Sequence, residues 1–425
     1  MKIYMAPCGI GLGHVSRCEP IARMLKDRGA DILFSTCFEA AKYLGRMGYK
    51  VTETLPISYA MREDGSIDYK LSVAHSPGFF KAAKLSFKDL RHEFNEVKSY
   101  GPNLVFSDSR LSPILIARAL GIPSILMLNQ FKVNVANQEP NESLIEKASF
   151  TFIGGLWAVS SAVVEAIWSL SDHILIPDLP YPYTISLKNL LIPKIFERKV
   201  RFIGPIIPVK PSELPEENEI KKELGIGESK SLIYAPISGS KKEKTYLTRL
   251  LTKVFQTFPN RYEIILSTAD PGSEARPNKI GKVTIYSWVE EEFHFKLLKA
   301  CDAVVGRAGH GTVTKALAYG KPIVAIPTPG QAEQYGNAER VERLKLGKMI
   351  EQRSVDKETL LRVVEEAING AREVREASKL INLLDPIGTA VKLIEAEAGA
   401  GRTRRPFPSS LFAQPATRIV GITTS

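Results

Sequence analysis

Short apolar runs rich in β-branched residues alternate with helical patterns along most of the chain, and this alternation restricts the possible folds more than any other feature. In the first half the runs are Ile3–Ala6, Asp31–Ser35, Leu104–Ser107 and Ser124–Leu128. Helical patterns such as His14–Arg28 and Pro113–Leu120 lie between them. Strand, helix and strand in this order build a parallel sheet covered by helices. The sequence therefore predicts an α/β fold.

A proline-rich stretch interrupts the alternation near the middle, from Pro205 to Pro211, and an acidic segment follows it. The pattern then restarts with runs at Ser231–Ala235, Tyr262–Leu266, Val283–Tyr286, Ala303–Val305 and Pro322–Ala325. Because 425 residues suit two domains, we predict a first domain over 1–204, a linker over 205–223 and a second domain over 224–397 that ends in closing helices. Two such doubly wound domains face each other across a central cleft, where ligands of open α/β sheets bind.

The last segment, 398–425, is rich in Pro, Ser, Thr and Gly and carries four arginines, so we expect a disordered basic tail. The net charge of +11 favours anionic partners: phosphorylated ligands, acidic membranes or nucleic acid. The four cysteines show no metal or redox spacing, and the first strand follows Met1 without a signal peptide, which predicts a cytoplasmic protein. The apolar stretch Thr151–Leu170 contains Glu165 and lacks basic flanks, so we expect a buried helix there rather than a membrane span.

A glycine-rich loop, Gly9 to Gly13, joins the first strand to a helix that begins near His14. Such a loop presents helix N–H groups to a polar ligand. It lacks the G-x-G-x-x-G spacing, and no acidic residue ends the second strand, so NAD binding is disfavoured. A histidine at the mouth of a cleft titrates near neutral pH and can act as a general base. The same pattern also suits a histidine with only a structural role, as a helix cap or a packing residue.

A second loop, Gly306 to Thr312, follows another predicted strand and combines Arg307, His310 and a hydroxyl with helix N–H groups, as a diphosphate site would. Ser238-Gly239-Ser240 also follows a strand, and Glu333-Gln334 begins a helix, where a carboxylate and an amide can bind sugar hydroxyls. No Asp-x-Asp pair or metal-cage spacing appears, so we expect a site without a metal.

These motifs resemble those of the GT-B glycosyltransferases similar to the bacterial peptidoglycan N-acetylglucosaminyltransferase and the diacylglycerol glycosyltransferases, a group like glycosyltransferase family 28. The resemblance covers residues 1 to about 385. Its signatures are Gly11-Leu12-Gly13-His14-Val15-Ser16-Arg17-Cys18, Gly309-His310-Gly311-Thr312, Gly320-Lys321-Pro322 and Glu333-Gln334-Tyr335-Gly336-Asn337-Ala338. It implies two Rossmann-like domains and transfer of a sugar from a nucleotide diphosphate sugar to an acceptor hydroxyl, with inversion.

The resemblance also implies roles for individual residues. His14 is the candidate general base, and Asp108 orients it or lines the acceptor pocket. The acceptor side comprises Gly11, Gly13, Arg17 and Asn129. The donor side comprises Ser238, Gly239, Ser240, Trp288, Val289, Arg307, Gly309, His310, Gly311, Thr312, Glu333 and Gln334, in which Trp288-Val289 reads the base.

One position departs from the family pattern. Lys315 stands where the relatives carry a glutamate that binds the ribose, so a UDP donor is implied but not fixed. The acceptor, with a lipid-linked molecule among the candidates, the sugar and the oligomeric state stay open. The nucleotide sugar is a substrate, and no cofactor is implied.

Other functions compete with transfer. A nucleotide-sugar hydrolase with the same Gly-His start would direct water at the donor, although the long segment Ser58 to Glu96 suits an acceptor. An epimerase lacks this start, and no recognised motif supports the nucleic-acid binding that the charge allows. The predicted helix Phe79–Lys98 has an apolar stripe beside four basic residues, so it either contacts an anionic membrane on its inner face or packs on the core.

Overall fold

The computed structural model describes residues 1–54, 61–66, 79–131 and 162–400, with the backbone alone over 79–88. No helix in these ranges is both long and apolar enough to cross a membrane. Most of the stretch Thr151–Leu170, most of residues 58–78, the first half of the predicted amphipathic stripe and the tail from residue 401 lie outside the described side chains.

The first half forms a seven-stranded parallel sheet in the order β3-β2-β1-β4-β5-β6-β7. Its strands are β1 (Lys2–Pro7), β2 (Asp31–Thr36), β3 (Lys50–Glu53), β4 (Leu104–Asp108), β5 (Ser124–Met127), β6 (His173–Ile176) and β7 (Val200–Phe202). The helices are α1 (Val15–Asp27), α2 (Phe38–Arg46), α3 (Phe79–Tyr100), α4 (Ser112–Leu120), α5 (162–168) and α6 (Leu187–Leu190), with a 3-10 turn at Lys194–Phe196. All residues of β1 after Lys2 are buried, as expected of a strand covered on both faces.

The second half forms another seven-stranded sheet, in the order β10-β11-β9-β8-β12-β13-β14, in which only the β10–β11 pair is antiparallel. Its strands are β8 (Ser231–Pro236), β9 (Tyr262–Ser267), β10 (Pro277–Ile280), β11 (Val283–Tyr286), β12 (Ala303–Gly306), β13 (Ile323–Ala325) and β14 (Gly347–Met349). The helices are α7 (Glu217–Glu223), α8 (Lys241–Phe255), α9 (Glu291–Ala300), α10 (His310–Ala318), α11 (Ala332–Arg343), α12 (Lys357–Asn369), α13 (Arg372–Asn382) and α14 (Pro386–Gly399), with 3-10 turns at Pro211–Glu213 and Gln352–Ser354.

Each sheet is covered by helices on both faces, so each has its own hydrophobic core. The predicted α/β fold of two doubly wound domains is confirmed. The last helix, however, does not pack with the second sheet, where the predicted boundary places it. Ala390, Val391 and Ile394 of α14 are buried in the first core, beside Ile3 and Met5 of β1. The chain therefore crosses back to its first half before residue 400.

Candidate active site

Loops from both halves surround one cavity of about 520 Å³ at the ends of the two sheets. The first half contributes the loop after β1 and the residues that follow β4 and β5. The second half contributes the loops after β8, β11 and β12 and the start of α11. Of the predicted residues, the cavity is lined by Gly11, Gly13, His14, Arg17, Asn129, Ser238, Gly239, Trp288, Val289, Gly309, His310, Gly311, Thr312 and Glu333.

His14 is the N-cap residue of α1, and its side chain is 26% exposed at the cavity wall. Its Nδ1 lies 2.8 Å from Oδ1 of Asp108, the last residue of β4. The structure thus places these two predicted residues in contact. Nδ1 also lies 3.2 Å from Nη2 of Arg17. Because a carboxylate can only accept a hydrogen bond, the proton belongs on Nδ1, which leaves Nε2 as the basic nitrogen.

Asp108 lies behind His14 and has no exposed surface. Arg17 donates to both of its oxygens, from Nε at 2.6 Å and from Nη2 at 2.5 Å. Burial alone would raise the pKa of Asp108, but the charges and hydrogen bonds of Arg17 and His14 outweigh it and hold that pKa well below its usual range. Asp108 is therefore an anion that fixes the imidazole from behind.

Asn129 connects this group to the second half of the chain. Its Oδ1 accepts from Nη1 of Arg17 at 3.1 Å, and its Nδ2 donates to Oε1 of Glu333 at 3.0 Å. The predicted acceptor-side and donor-side residues thus meet through one amide. Since Asn129 is 5% exposed, this contact is largely shielded from solvent.

The loop after β12 ends at Gly309, the N-cap of α10. Gly309, His310, Gly311 and Thr312 all line the cavity, so the first turn of this helix faces the open space. The first N–H groups of a helix have no partner within the helix and carry a partial positive charge. This arrangement suits an anion such as a diphosphate.

The structure does not bring Arg307 into this group. Its side chain is 1% exposed and is directed beneath the loop, where it donates to the carbonyl oxygens of Ile326 and Pro327 and to Oε1 of Gln352. Burial lowers its pKa to about 10. The prediction of a direct diphosphate contact is corrected, because these acceptors hold the guanidinium away from the cavity.

Ser240 and Gln334 also lie outside the cavity lining and serve the local fold. Ser240 is the N-cap of α8, where its hydroxyl faces the N–H of Glu243 and the Glu243 carboxylate accepts from the Ser240 N–H at 2.8 Å. Oε1 of Gln334 accepts from the backbone N–H of Thr328 at 2.9 Å. Their neighbours Ser238, Gly239 and Glu333 are the ones that reach the cavity.

Trp288 and Val289 line the cavity after β11, and a helix of the other half covers them. The rings of Tyr43 and Trp288 are 6.0 Å apart, and the Arg46 guanidinium lies 5.3 Å from the Trp288 ring centroid. Arg46 also pairs with Glu290 at 2.5 Å. Helix α2 of the first half thus contacts the second half beside Trp288 and Val289, the segment predicted to bind the nucleotide base.

Lys315 follows the same loop by one helical turn and lines the cavity. Its Nζ lies 3.5 Å from Oγ of Ser16 and 5.8 Å from the centroid of the Phe295 ring. Burial lowers its pKa, against the opposing charge of Glu291. Burial and the Lys315 charge also lower the pKa of His294 to about 3, so that histidine is neutral. The departure noted in the sequence thus places a cation at the site.

One charged residue of this region was missed by sequence reasoning. Asp178 follows β6, and its Oδ2 lies 3.1 Å from Nε2 of His310. The local sequence Asp178-Leu179-Pro180 looks like an ordinary turn, and only the folded sheet brings it to α10. Within the described ranges, no group of three His, Cys, Asp or Glu residues is arranged to hold a metal ion.

Comparison with known proteins assigns the class. Residues 1–205 match the model of glycosyl transferase family 1, and residues 237–384 match the glycosyltransferase family 28 C-terminal domain. An uncharacterized glycosyltransferase of Methanosarcina acetivorans is 28% identical over 94% of this chain and 99% of its own length. A UDP-N-acetylglucosamine–N-acetylmuramyl-(pentapeptide) pyrophosphoryl-undecaprenol N-acetylglucosamine transferase of Aquifex aeolicus is 25% identical over 44% of this chain and 54% of its own length.

The fold has solved counterparts. The calicheamicin glycosyltransferase CalG4 superimposes with a TM-score of 0.60 over 94% of this chain and 98% of its own, at 18% identity. At this identity the match shows the fold alone. Taken with the family matches, it shows that the chain is a GT-B glycosyltransferase similar to glycosyltransferase family 28.

Proposed function

We propose that this enzyme moves a sugar from a UDP-sugar to an acceptor hydroxyl, with inversion and without a metal ion, and that His14 is the general base. The observation that carries the proposal is the position of His14. Its imidazole is held by Asp108 at the wall of the cavity, and the first turn of α10 lines the same cavity. A base and an anion site therefore share one enclosed space.

The donor diphosphate is assigned to the first turn of α10. Backbone N–H groups there meet the negative charge, and the close packing of Gly306 supports the loop, since a Cβ at that glycine would lie 3.1 Å from the carbonyl oxygen of Pro236. The adjacent Lys315 supplies a further positive charge. Helix N–H groups and fixed cations are the usual substitutes for a metal at a leaving phosphate.

The reaction then needs one proton transfer on the acceptor side. Nε2 of His14 takes the proton of the acceptor hydroxyl as that oxygen attacks the anomeric carbon of the sugar. The bond to the diphosphate breaks on the opposite face, which inverts the configuration. Asp108 stabilises the imidazolium that forms, because it remains an anion with both oxygens hydrogen-bonded.

We assign a lipid-linked acceptor to the apolar part of the cavity, at the cytoplasmic face of a membrane. Leu12, Leu111, Val164 and Trp168 line the cavity on the same half as His14. The name of the Aquifex aeolicus relative gives a pyrophosphoryl-undecaprenol acceptor for that protein. Flotation with liposomes tests membrane contact: preference for anionic vesicles supports the assignment, and equal recovery with neutral vesicles counts against it.

One incubation tests the main proposal. The enzyme is mixed with UDP- and dTDP-sugars, with and without a total lipid extract, and products are identified by mass. A lipid product larger by one sugar, formed with UDP-sugars, supports the proposal. Free sugar formed at the same rate with and without lipid would instead indicate the hydrolase, and a new nucleotide sugar would indicate an epimerase.

A further inference from the structure

Asp178 and His310 form a close contact between the two halves of the chain. Asp178 lies two residues after the end of β6 in the first sheet, whereas His310 is the first residue of α10 beside the second sheet. Asp178 has no exposed surface, and His310 is 6% exposed. A buried charge is costly unless it has partners, so a carboxylate in this position calls for an explanation.

Uncharged hydrogen-bond donors close in sequence already bind both oxygens of the Asp178 carboxylate. Its Oδ1 accepts from the backbone N–H groups of Leu179 at 2.7 Å and Ile185 at 3.2 Å. Its Oδ2 accepts from the N–H of Ser186 at 2.8 Å and from its hydroxyl at 2.7 Å. Burial alone would raise the pKa of Asp178, but the neighbouring His310 and the hydrogen bonds from Ser186 lower it. The carboxylate is therefore an anion.

The two nitrogens of His310 have different surroundings. Nε2 is buried 3.1 Å from Oδ2 of Asp178, yet the direction of the contact does not meet hydrogen-bond geometry. Nδ1 has no hydrogen bond among the described residues and is not enclosed, and His310 lines the cavity. The ring thus lies between a fixed anion and the space assigned to the donor diphosphate.

We propose that Asp178 is a positioning residue that holds His310 as an imidazolium when the donor is bound, so that the ring links the carboxylate to the diphosphate and donor binding takes up a proton. This inference rests on the proposed function. A neutral imidazole has one donating and one accepting nitrogen. If the proton of the neutral ring is on Nε2, beside Asp178, Nδ1 faces the phosphate oxygens with a lone pair. A proton taken from solvent onto Nδ1 turns that repulsion into a charge-assisted hydrogen bond.

Other charged groups near the pair keep their partners in this scheme. The guanidinium of Arg340 interacts with the Asp178 charge, but it donates to the carbonyl oxygens of Thr184 and Pro182. On the cavity wall, Arg17 and Glu333 are joined through Asn129, and Lys315 lies one turn further along α10.

The test is calorimetry of UDP-N-acetylglucosamine binding at pH 8 in two buffers of different ionisation enthalpy. This probe has no phosphate that titrates near neutral pH, so proton uptake reports the protein. Wild-type enzyme is expected to take up part of a proton for each donor bound. His310→Gln and Asp178→Asn should each lose that uptake and bind roughly tenfold to a hundredfold more weakly. The double variant should bind no more weakly than the weaker single variant.

Ser186→Ala is the matched control, because it removes one neutral donor from the same Oδ2 and leaves the carboxylate. It should retain proton uptake. Proton uptake that persists in His310→Gln, or donor binding by the wild type without proton uptake, would overturn this inference. Neither result would affect the proposed function. If Asp178→Asn fails to fold, His310→Gln still decides the question. If the wild-type enzyme does not bind the probe while binding another nucleotide sugar, the UDP assignment fails and the uptake is measured with that donor.

Discussion

His14 and Asp108 differ in burial, and their proposed roles differ with it. The imidazole is partly exposed at the cavity, so it can meet an acceptor, whereas the carboxylate is fully enclosed and bonded to Arg17. At the residue scale, this contrast separates the group proposed to react from the groups that hold it. Asp108 therefore contributes to stability as well as to the orientation of His14.

Asp108→Asn should destabilise the fold by about 3–5 kcal/mol at neutral pH, because it leaves the buried Arg17 charge without its partner. The folded-state pKa of Asp108 is lowered, so its stabilising contribution is present above the unfolded pKa of about 4 and is lost as the pH falls toward the folded value. Urea unfolding of both proteins from pH 7 to pH 3 measures this. A difference that stays constant over that range would rule out the ion pair as its source.

Lys315→Glu should strengthen the binding of the ribonucleotides UDP and GDP relative to dTDP, whose sugar lacks the 2′ hydroxyl. A lysine can only donate hydrogen bonds, whereas a glutamate accepts them from ribose hydroxyls. Competition binding with the three nucleotides measures the ranking. Lys253→Glu makes the same charge change at an exposed site and should leave the ranking alone. The same ranking in Lys315→Glu and wild type would place Lys315 outside the nucleotide site.

The predicted residues that the structure brings together are those whose position follows from the local pattern. His14 precedes a helix after a strand and a glycine loop, and Asp108 ends a strand, so parallel topology brings them to one edge. The partners of Arg307 and the Asp178–His310 pair depend on segments far apart in the chain. No local pattern reports which buried acceptor a long guanidinium will reach.

At the element scale, helix starts around the cavity are of two kinds. Helix α10 begins with Gly309 and leaves its first N–H groups facing the cavity, whereas α8 begins with the Ser240–Glu243 capping box and satisfies its own. Both helices have a glycine near their start, and both starts were predicted to bind the donor, although Ser240-Lys241-Lys242-Glu243 has the spacing of a capping box. The structure contains that capping box, and it gives Ser240 a different role from the predicted one.

Ser240→Ala should lower the free energy of unfolding by about 0.5–2 kcal/mol, the usual cost of losing an N-cap hydroxyl. Donor affinity should change little, because Ser240 does not line the cavity. Thermal unfolding and nucleotide calorimetry on the same variant separate the two effects. A thermal unfolding midpoint equal to that of the wild type, together with weakened donor binding, would indicate that Ser240 belongs to the donor site.

At the scale of the whole molecule, the two sheets were predictable, whereas the return of the last helix to the first half was not. The strands with continuous apolar runs, such as β1 and β8, are buried on both faces and were recognised. Short strands such as β7 and β14 have three residues each, which is too few for a hydrophobic pattern to identify a strand in the sequence. The return of α14 to the first sheet has no local signal, since its apolar stripe would fit either core.

Ile394→Ala should destabilise the protein by about 2–5 kcal/mol, because Ile394 is fully buried in the first core and its loss leaves a cavity. Leu383→Ala is the control, since Leu383 is 82% exposed just before α14. Chemical unfolding measures both. Equal, small losses for the two variants would mean that α14 does not support the first half.

The central claim is that His14, on the first half, removes the acceptor proton while the second half holds the donor. His14→Ala, compared with wild type in single-turnover sugar transfer and in donor calorimetry, tests it most directly. We expect the single-turnover rate constant to fall by about 10²–10⁴ while donor affinity stays nearly unchanged. A variant that keeps the full transfer rate but loses donor binding would contradict the claim and make His14 a donor ligand.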